Sequence, residues 1–153
     1  MTAACIAPLA PAQLPLWVAL RCELWPDASE AEHAAEARIL MASPDYRVLL
    51  AFDGAAPAGF AEAALRRDYV NGCDSSPAQP VAFLEGVYVR APFRRRGMAR
   101  GLIDHIAAWA RTRGVVELAS DALLDNQDSH AMHRALGFAE TERIVFFRRR
   151  LDE

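Results

Sequence analysis

The chain has 153 residues, of which 53% are apolar and 24% are charged, so it can bury one hydrophobic core and is too apolar to remain disordered. Its 17 basic residues are all arginine and stand against 20 acidic ones, for a net charge of −3 and an isoelectric point near 5.8. These values exclude a lysine nucleophile and lack the basic excess typical of nucleic-acid-binding proteins. We expect one domain over residues 1–153 and no nucleic-acid partner.

The compartment and the charge distribution can also be predicted. Residues 77–153 carry 12 arginines against 10 acidic residues, whereas residues 1–76 carry 5 against 10, so a local phosphate site is possible in the second half. Three widely spaced cysteines predict neither a disulfide framework nor a zinc cluster. The uncharged first 20 residues lack a basic start and contain three prolines, and no 18-residue apolar stretch occurs. We therefore expect a cytoplasmic protein with no membrane association.

The first half of the chain predicts two helices followed by a β-hairpin. Residues 11–25 repeat apolar side chains on one helical face. A second helix begins after Ser29, because Ser29 and Glu32 match a capping box. Residues 46–52 and 59–65 are typical of strands joined around Asp53-Gly54. The turn formers of residues 71–77 predict a surface loop.

The second half alternates strands and helices. Residues 81–89 are apolar enough for a central strand, and apolar residues at helical spacing predict a helix over 98–113 that Gly114 ends. A short strand over 115–119, a helix over 128–136 stopped by Gly137, and a last strand over 144–147 follow. The order indicates an α/β fold of the mixed α+β type, with a sheet flanked by helices.

The loop between strand 81–89 and the following helix is typical of an anion site. Three consecutive arginines precede Gly97 at the helix entrance, where the missing Cβ lets a ligand approach unpaired N–H groups. The helix dipole adds to the attraction for phosphate. The segment matches neither a Walker A loop nor Gly-x-Gly-x-x-Gly. Taken alone, it is equally typical of a solvated surface or an RNA-binding patch.

Two motifs resemble the GNAT superfamily of acyl-coenzyme A N-acyltransferases. The superfamily pattern Arg/Gln-x-x-Gly-x-Gly/Ala after the fourth strand matches Arg94-x-x-Gly97-x-Ala99, and its Asn before a short helix ending in Leu-Gly-Phe matches Asn126 and residues 136–138. Further blocks are similar, in order, to the chromosomal-type aminoglycoside 6′-N-acetyltransferases: residues 24–26, 68–77, 83–86, 119–121 and 140–143. The blocks span nearly the whole chain, and the loop at 68–77 is idiosyncratic enough to make the resemblance specific.

This resemblance implies the GNAT fold, a strongly twisted and mostly antiparallel sheet whose fourth and fifth strands splay apart around acetyl-CoA. Asn126 would contact this co-substrate, although it could equally be a helix N-cap, and Glu142 matches a position near it. Backbone groups of Val87, Tyr88 and Val89 would bind the pantetheine arm. The pyrophosphate would be bound at the helix start by Arg95, Arg96, Gly97, Met98, Ala99 and Arg100.

The resemblance also places the acceptor, an aminoglycoside, against Trp25, Tyr69, Glu85 and Asp121. A polycationic sugar needs carboxylates for its ammonium groups and aromatic rings for its faces. Ordinary core packing is the alternative for the two aromatic residues, and a turn or cap role is the alternative for Asp121. Similarity to relatives further implies a homodimer, in which strand 144–147 could close an intersubunit sheet or simply end the chain.

Acetyl transfer requires a neutral attacking amine, which makes Glu85 the candidate catalytic base; binding of an acceptor ammonium is an equally weighted role. The N–H of Val87 is the candidate donor to the oxyanion. His133 stands where many members of the superfamily have a tyrosine that protonates the leaving thiolate, so it is the candidate catalytic acid. Cys73 has no evident activating partner. His130 and His133 have no third ligand in sight, so no metal is expected.

The expected reaction is direct transfer of the acetyl group of acetyl-CoA to the 6′-amino group of an aminoglycoside in a ternary complex, which confers resistance to the antibiotic. Another GNAT enzyme, acting on a polyamine or a protein amine through a long narrow cleft, is the nearest alternative. Outside the enzymes, the alternative is an acyl-CoA-binding module without catalytic activity.

Overall fold

The computed structural model describes residues 4–70 and 72–152. In this part of the chain a five-stranded sheet has its strands in chain order: β1 (Ala4–Pro8), β2 (Tyr46–Asp53), β3 (Ala56–Arg66), β4 (Val81–Val89) and β5 (Leu118–Ala119). The pairs from β1 to β4 are antiparallel, and β5 is parallel to β4. Four α-helices accompany the sheet: α1 (Leu14–Leu24), α2 (Glu30–Met41), α3 (Met98–Thr112) and α4 (Gln127–Ala135). The mixed α/β prediction is confirmed.

Local signals in the sequence account for several of these elements. The hydroxyl of Ser29 accepts the N–H of Glu32 at 3.2 Å, and the Glu32 carboxylate accepts the N–H of Ser29 at 2.7 Å, which confirms the capping box of α2. Strands β2 and β3 form the predicted hairpin, with Gly54 in the left-handed region at φ 60°. Within the predicted loop 71–77, Asn71 lies outside the described residues, and residues 72–77 form turns at the surface.

The two ends of the sheet differ from the prediction. Strand β1 is not evident in the sequence, because Pro8 and the small residues around it form a strand only through pairing with the edge of β2. Strand β5 is limited to Leu118–Ala119 instead of residues 115–119. The expected last strand is wrong for the described chain. Residues 144–147 belong to no helix or strand, and no strand formed by residues 4–70 and 72–152 pairs with them.

Hydrophobic clusters lie on both faces of the sheet. Alternate residues of β2 point to opposite faces, so Leu49 packs with Leu102 and Ile106 of α3, whereas Leu50 packs with Trp17 and its neighbours on α1. Helices α1 and α2 therefore cover one face, and α3 covers the other. None of the helices formed by residues 4–70 and 72–152 is long and apolar enough to cross a bilayer.

Strand β4 is paired along its full length on one edge only. Its second edge pairs with β5 at Ala82 and Phe83 alone, so no strand of the described chain covers that edge farther on. The register with β3 shifts so that Glu62 faces Gly86 while Ala63 faces Leu84. Glu85 is thus the extra residue of a β-bulge, a device that re-aims a side chain and ends pairing. The predicted splay between the fourth and fifth strands is confirmed.

Candidate active site

The arginine-rich loop and the first turn of α3 border an open cleft of about 220 Å³. Its lining joins the end of β4 to the helix start and includes Val89, Arg95, Gly97, Met98, Ala99 and Arg100. Arg96, the remaining residue of the predicted pyrophosphate site, does not line it and is ion-paired with Asp53 at 3.2 Å. We refer to this space as the arginine cleft.

Gly97 is the N-cap of α3 and is left-handed, with φ 76°. A Cβ built on this residue would have no heavy atom within 4 Å, so the space in front of its backbone is open. The first N–H groups of any α-helix lack intrahelical partners and carry the positive end of the dipole. The geometry at Gly97 therefore suits an anionic group that approaches the backbone closely.

The arginines of this region differ in how they are held. The guanidinium of Arg94 donates to the carbonyl of Val89 at 2.7 Å, and Arg100 donates to the carbonyl of Ala135 at 2.8 Å. Arg95, in contrast, makes no hydrogen bond or ion pair with another described residue, and its own φ of 61° is left-handed. A left-handed non-glycine residue costs roughly 1–2 kcal/mol, so the loop keeps this conformation because its neighbours enforce it. Arg95 is the cation available to an incoming phosphate.

A second, larger cleft of about 350 Å³ is bordered by the residues after β5, by α4 and by the segment that follows it. It contains three of the predicted site residues, Asp121, His133 and Glu142. Asp121 is exposed and makes no hydrogen bond or ion pair with another described residue, and it caps no helix. We refer to this space as the acidic cleft, because the Asp121 carboxylate in it is free to bind a cation.

Tyr69 and Glu142 form one unit beside this cleft. The Tyr69 hydroxyl lies 2.5 Å from both carboxylate oxygens of Glu142, and the hydrogen bond to that carboxylate raises the pKa of Tyr69, so its phenol remains protonated at neutral pH. Tyr69 is 65% exposed, which rules out core packing as its role. The bond to Tyr69 holds Glu142 at the 68–77 loop, outside the arginine cleft.

Glu85 is the bulge residue of β4, and Trp25 packs against the residue that follows it, Gly86. The ring of Trp25 is half-buried and rests on Gly86, where an added Cβ would be 2.7 Å from Cη2 of the ring. Glu85 forms an ion pair with Arg66 at 2.6 Å. Nε and Nη2 of Arg66 both donate to the same oxygen, Oε1. Oε2 of Glu85 therefore has no partner among the described residues.

Arg66 is a site residue that the sequence does not predict. Its guanidinium lies 3.8 Å from the centre of the Phe83 ring and holds the Glu85 carboxylate. In the β3–β4 register Arg66 faces Val81, so only the length of its side chain brings it to Glu85. No spacing in the sequence contains that information.

Asn126 has the structural role that was the alternative to co-substrate binding. Its side-chain oxygen accepts the N–H of Ser129 at 3.1 Å and caps α4. The same oxygen is therefore engaged within the protein, and a co-substrate contact at Asn126 would have to use the amide NH₂ group.

His133, the candidate catalytic acid, has a partner at each ring nitrogen. Its Nδ1 lies 2.7 Å from the carbonyl of Ser129, which can only accept, so Nδ1 carries the proton. Its Nε2 then accepts the hydroxyl of Ser120 at 2.8 Å. Both ring nitrogens are engaged within the protein, so donation of a proton from Nε2 to a leaving thiolate would require the contact with Ser120 to open. His130 is likewise bonded to a carbonyl, that of Leu123, and residues 4–70 and 72–152 contain no group of three His, Cys, Asp or Glu side chains able to hold a metal.

Replacement of His133 by alanine is therefore expected to act on stability. The variant loses two hydrogen bonds that join α4 to Ser120, just after β5, and to its own first turn, at a cost of about 1–3 kcal/mol in the free energy of unfolding. Urea denaturation measures this loss, and kcat at a temperature where the variant is folded should stay within about threefold of the unmodified value. A fall in kcat of two orders of magnitude in fully folded protein would restore His133 as an acid.

Comparisons with known proteins agree with this geometry. Residues 16–138 match the acetyltransferase (GNAT) family. The aminoglycoside N(6′)-acetyltransferase type 1 of Serratia marcescens is 53% identical over 140 residues, which are 90% of this chain and 93% of that protein. The protein of the same name from Acinetobacter baumannii is 47% identical over 147 residues, 95% of this chain and 98% of that one.

Among solved structures, AAC(6′)-Iy in complex with the bisubstrate analog CoA-S-monomethyl-acetylneamine has a TM-score of 0.90 at 40% identity, covering 97% of this chain and 99% of that one. The 6′-N-acetyltransferase AAC(6′)-Ih from Acinetobacter baumannii has a TM-score of 0.88 at 46% identity, covering 97% and 99%. The open arginine cleft and the separation of β4 from β5 agree with these relatives, which match nearly the whole length of the chain. The chain therefore belongs to the GNAT acetyltransferases and, within them, to the family of the aminoglycoside N(6′)-acetyltransferases of type 1.

Proposed function

We propose that this protein transfers the acetyl group of acetyl-CoA to the 6′-amino group of an aminoglycoside in a ternary complex, and so confers resistance. One observation carries the proposal: the unpaired edge of β4 runs from the Glu85 carboxylate at the bulge to Val89 at the arginine cleft. A single strand thereby connects a candidate base to a phosphate site. The relatives bearing this activity in their names support the choice of acceptor.

The arginine cleft fits the nucleotide end of acetyl-CoA, which supplies an acetyl group activated as a thioester. Arg95 and the backbone at Gly97, with Met98, Ala99 and Arg100 beside it, would bind the pyrophosphate. Peptide groups of Val87, Tyr88 and Val89 on the unpaired edge of β4 would bind the pantetheine arm as a further strand would. The Val87 N–H, next to the bulge, would stabilise the oxyanion. Alignment of two bound reactants can lower a barrier by about 7–11 kcal/mol, so these positions matter as much as any acid or base.

For the acceptor, we propose that the Glu85, Asp121 and Glu142 carboxylates bind or deprotonate ammonium groups, Glu142 acting from its bond with Tyr69. Trp25 and Tyr69 offer aromatic surface to the sugar rings. Glu85 is assigned as the base, because its Oε2 has no internal partner and lies on β4 near the reacting edge.

Conversion of Asp121 to alanine is expected to weaken binding of the acceptor and to leave binding of acetyl-CoA unchanged. Removal of an exposed carboxylate that pairs with a ligand ammonium raises the KM for kanamycin about 10–150-fold, the range expected for a charged hydrogen bond of about 1.5–3 kcal/mol. The KM for acetyl-CoA should stay within about twofold. Steady-state kinetics with each substrate varied in turn measures both, and a larger effect on acetyl-CoA would reject the acceptor assignment.

The proposed function is tested by thiol release from acetyl-CoA with kanamycin, tobramycin, spermidine and a peptide amine as acceptors. Release with the two aminoglycosides, and a product whose mass spectrum places the acetyl group on the 6′-nitrogen, supports the proposal. Faster release with spermidine or the peptide would indicate a different GNAT acceptor. Coenzyme A binding without release for any acceptor would indicate the binding module.

We also propose that the protein is a homodimer assembled through the segment after α4. Residues 144–151 expose a run of large apolar side chains, with Phe146 91% and Phe147 93% exposed. Such a run marks an interaction surface, and a second copy of β5 would offer the strand edge that this segment lacks. Light scattering should give twice the chain mass of 16.8 kDa; the mass of a single chain would reject the dimer. The three free thiols support a reducing cytoplasm as the compartment.

A further inference from the structure

A fully buried ion pair lies behind strand β4, outside the site described above. Arg21 of α1 and Glu62 of β3 are 3% and 1% exposed and are joined by a 2.6 Å ion pair. The Glu62 carboxylate also accepts the indole N–H of Trp17 at 2.7 Å and the hydroxyl of Tyr46 at 2.6 Å. Both oxygens of the Glu62 carboxylate thus accept hydrogen bonds, from donors on α1 and β2.

The network extends from Arg21 to Trp25. The Nε–H of Arg21 donates to Nδ1 of His33 at 3.4 Å, so the proton of His33 is on Nε2, which donates to the backbone carbonyl of Trp25 at 2.9 Å. The His33 ring stacks on the Trp25 ring at 6.4 Å with an interplanar angle of 24°, and the Arg21 guanidinium lies 5.0 Å from the centre of the same ring. Trp25 is therefore held both at its backbone and on its ring.

The Trp25 ring packs directly against strand β4. Glu62 faces Gly86 across the β3–β4 ladder, and the Trp25 ring fills the space that a side chain at position 86 would take. Gly86 follows the bulge residue Glu85. The Arg21–Glu62 ion pair thus contacts the Trp25 ring, and the Trp25 ring contacts β4 next to the bulge, on the proposed acceptor side of the strand.

A buried ion pair contributes little net free energy to the stability of a core. Desolvation of the two charges offsets much of their attraction, and apolar residues of similar volume often stabilise as well or better. Burial raises the pKa of Glu62 against the opposing effect of Arg21. A planar guanidinium does what an apolar side chain cannot: it ion-pairs, donates to His33 and presents a flat face to an indole ring, all in one fixed geometry.

We infer that Arg21 and Glu62 are positioning residues that hold the Trp25 ring against Gly86 and thereby set the aromatic wall on which the acceptor sugar packs. The inference rests on the proposed function, since it concerns the acceptor side of that same site. Neither residue touches the reacting groups, so their effect must pass through Trp25.

The test is Arg21→Lys, which keeps a charge for Glu62 but loses the flat guanidinium face, the bond to His33 and the simultaneous ion pair of Arg21 with Glu36. The kcat/KM for kanamycin should fall at least about tenfold, because misplacement of a reactant by about 1 Å can cost up to about 100-fold in rate, while the KM for acetyl-CoA stays within about twofold. In a Trp25→Ala background the same substitution should cause no further loss, because its effect passes through the ring. Arg113→Lys is the matched control: Arg113 also pairs with an acid, Asp45, at 2.7 Å and lies 5.9 Å from the Trp109 ring.

A second variant guards against a folding defect. Gly86→Ala places a methyl group where the Trp25 ring lies and leaves the ion pair intact, so it should reproduce the acceptor-specific loss. Equal loss for both substrates, or effects of Arg21→Lys and Trp25→Ala that add, would overturn the inference and leave a purely structural ion pair. Unmodified protein that acetylates no aminoglycoside would instead remove the proposed function, and the inference with it.

Discussion

Replacement of Gly97 by valine is expected to abolish acetyl-CoA binding, with a loss of affinity of at least about 100-fold, or about 2.8 kcal/mol. Two physical effects combine. Valine is poorly tolerated at a φ of 76°, so the backbone around the start of α3 must shift. Its side chain also projects into the open space where a phosphate would meet the N–H groups.

Gly114 provides a control with the same backbone penalty. It follows the other end of α3 with a φ of 75°, and a Cβ there would likewise have no heavy atom within 4 Å. Gly114→Val should therefore lose a similar free energy of unfolding, roughly 1–2 kcal/mol, yet bind coenzyme A normally. Calorimetric titration with coenzyme A measures the affinity of both variants, and thermal unfolding measures their stability. Equal affinity in the two variants would refute the phosphate site at α3.

Glu85→Gln is expected to lower kcat by about 10²–10⁴-fold, the usual contribution of a general base, with both KM values within about threefold of the unmodified enzyme. Glutamine keeps the shape and can still accept from Arg66, but it cannot take a proton from the acceptor amine. If Glu85 only binds an ammonium, the kanamycin KM rises and kcat is retained. The ratio of the two effects, measured under saturating acetyl-CoA, decides between these roles.

Two companion variants sharpen this measurement. Arg66→Met removes the guanidinium that occupies Oε1 of Glu85, and it should change the acceptor kinetics without changing coenzyme A affinity. Asp104→Asn removes an exposed carboxylate on α3 that makes no hydrogen bond or ion pair with another described residue, so it controls for the change in net charge. A kcat for Glu85→Gln equal to that of Asp104→Asn would exclude Glu85 from the chemistry.

Sequence and structure agree most closely where a few neighbouring residues decide the outcome. The capping box at Ser29, the hairpin at Gly54 and the left-handed glycine before α3 each depend on a backbone preference or a hydrogen bond within four residues. The proposed acyl-CoA site belongs to this class, because one glycine and a helix start create it. The acceptor residues are predicted only by the resemblance of the motifs to the family.

The sequence says least where a residue's surroundings depend on partners elsewhere in the chain. Ser120 and Ser129 engage both ring nitrogens of His133, which no local pattern predicts. Tyr69, 73 residues before Glu142, holds that carboxylate at the 68–77 loop. Arg66 and the Arg21–Glu62 pair carry no local signature at all.

The amino-acid sequence alone determined the class of fold, the presence of the helices and of the β2–β3 hairpin, and the glycine at the start of α3, since short-range sterics and hydrogen bonds favour each. The ends of the hairpin strands were not determined, because β3 begins at Ala56 and not at Gly59. Only the tertiary structure decided that Pro8 lies in a strand, that residues 144–147 do not, that β4 bulges at Glu85, and which carboxylates and imidazoles are free. The reason is physical: pairing of a strand edge and occupation of a polar atom are settled by groups that chain folding brings together from far apart.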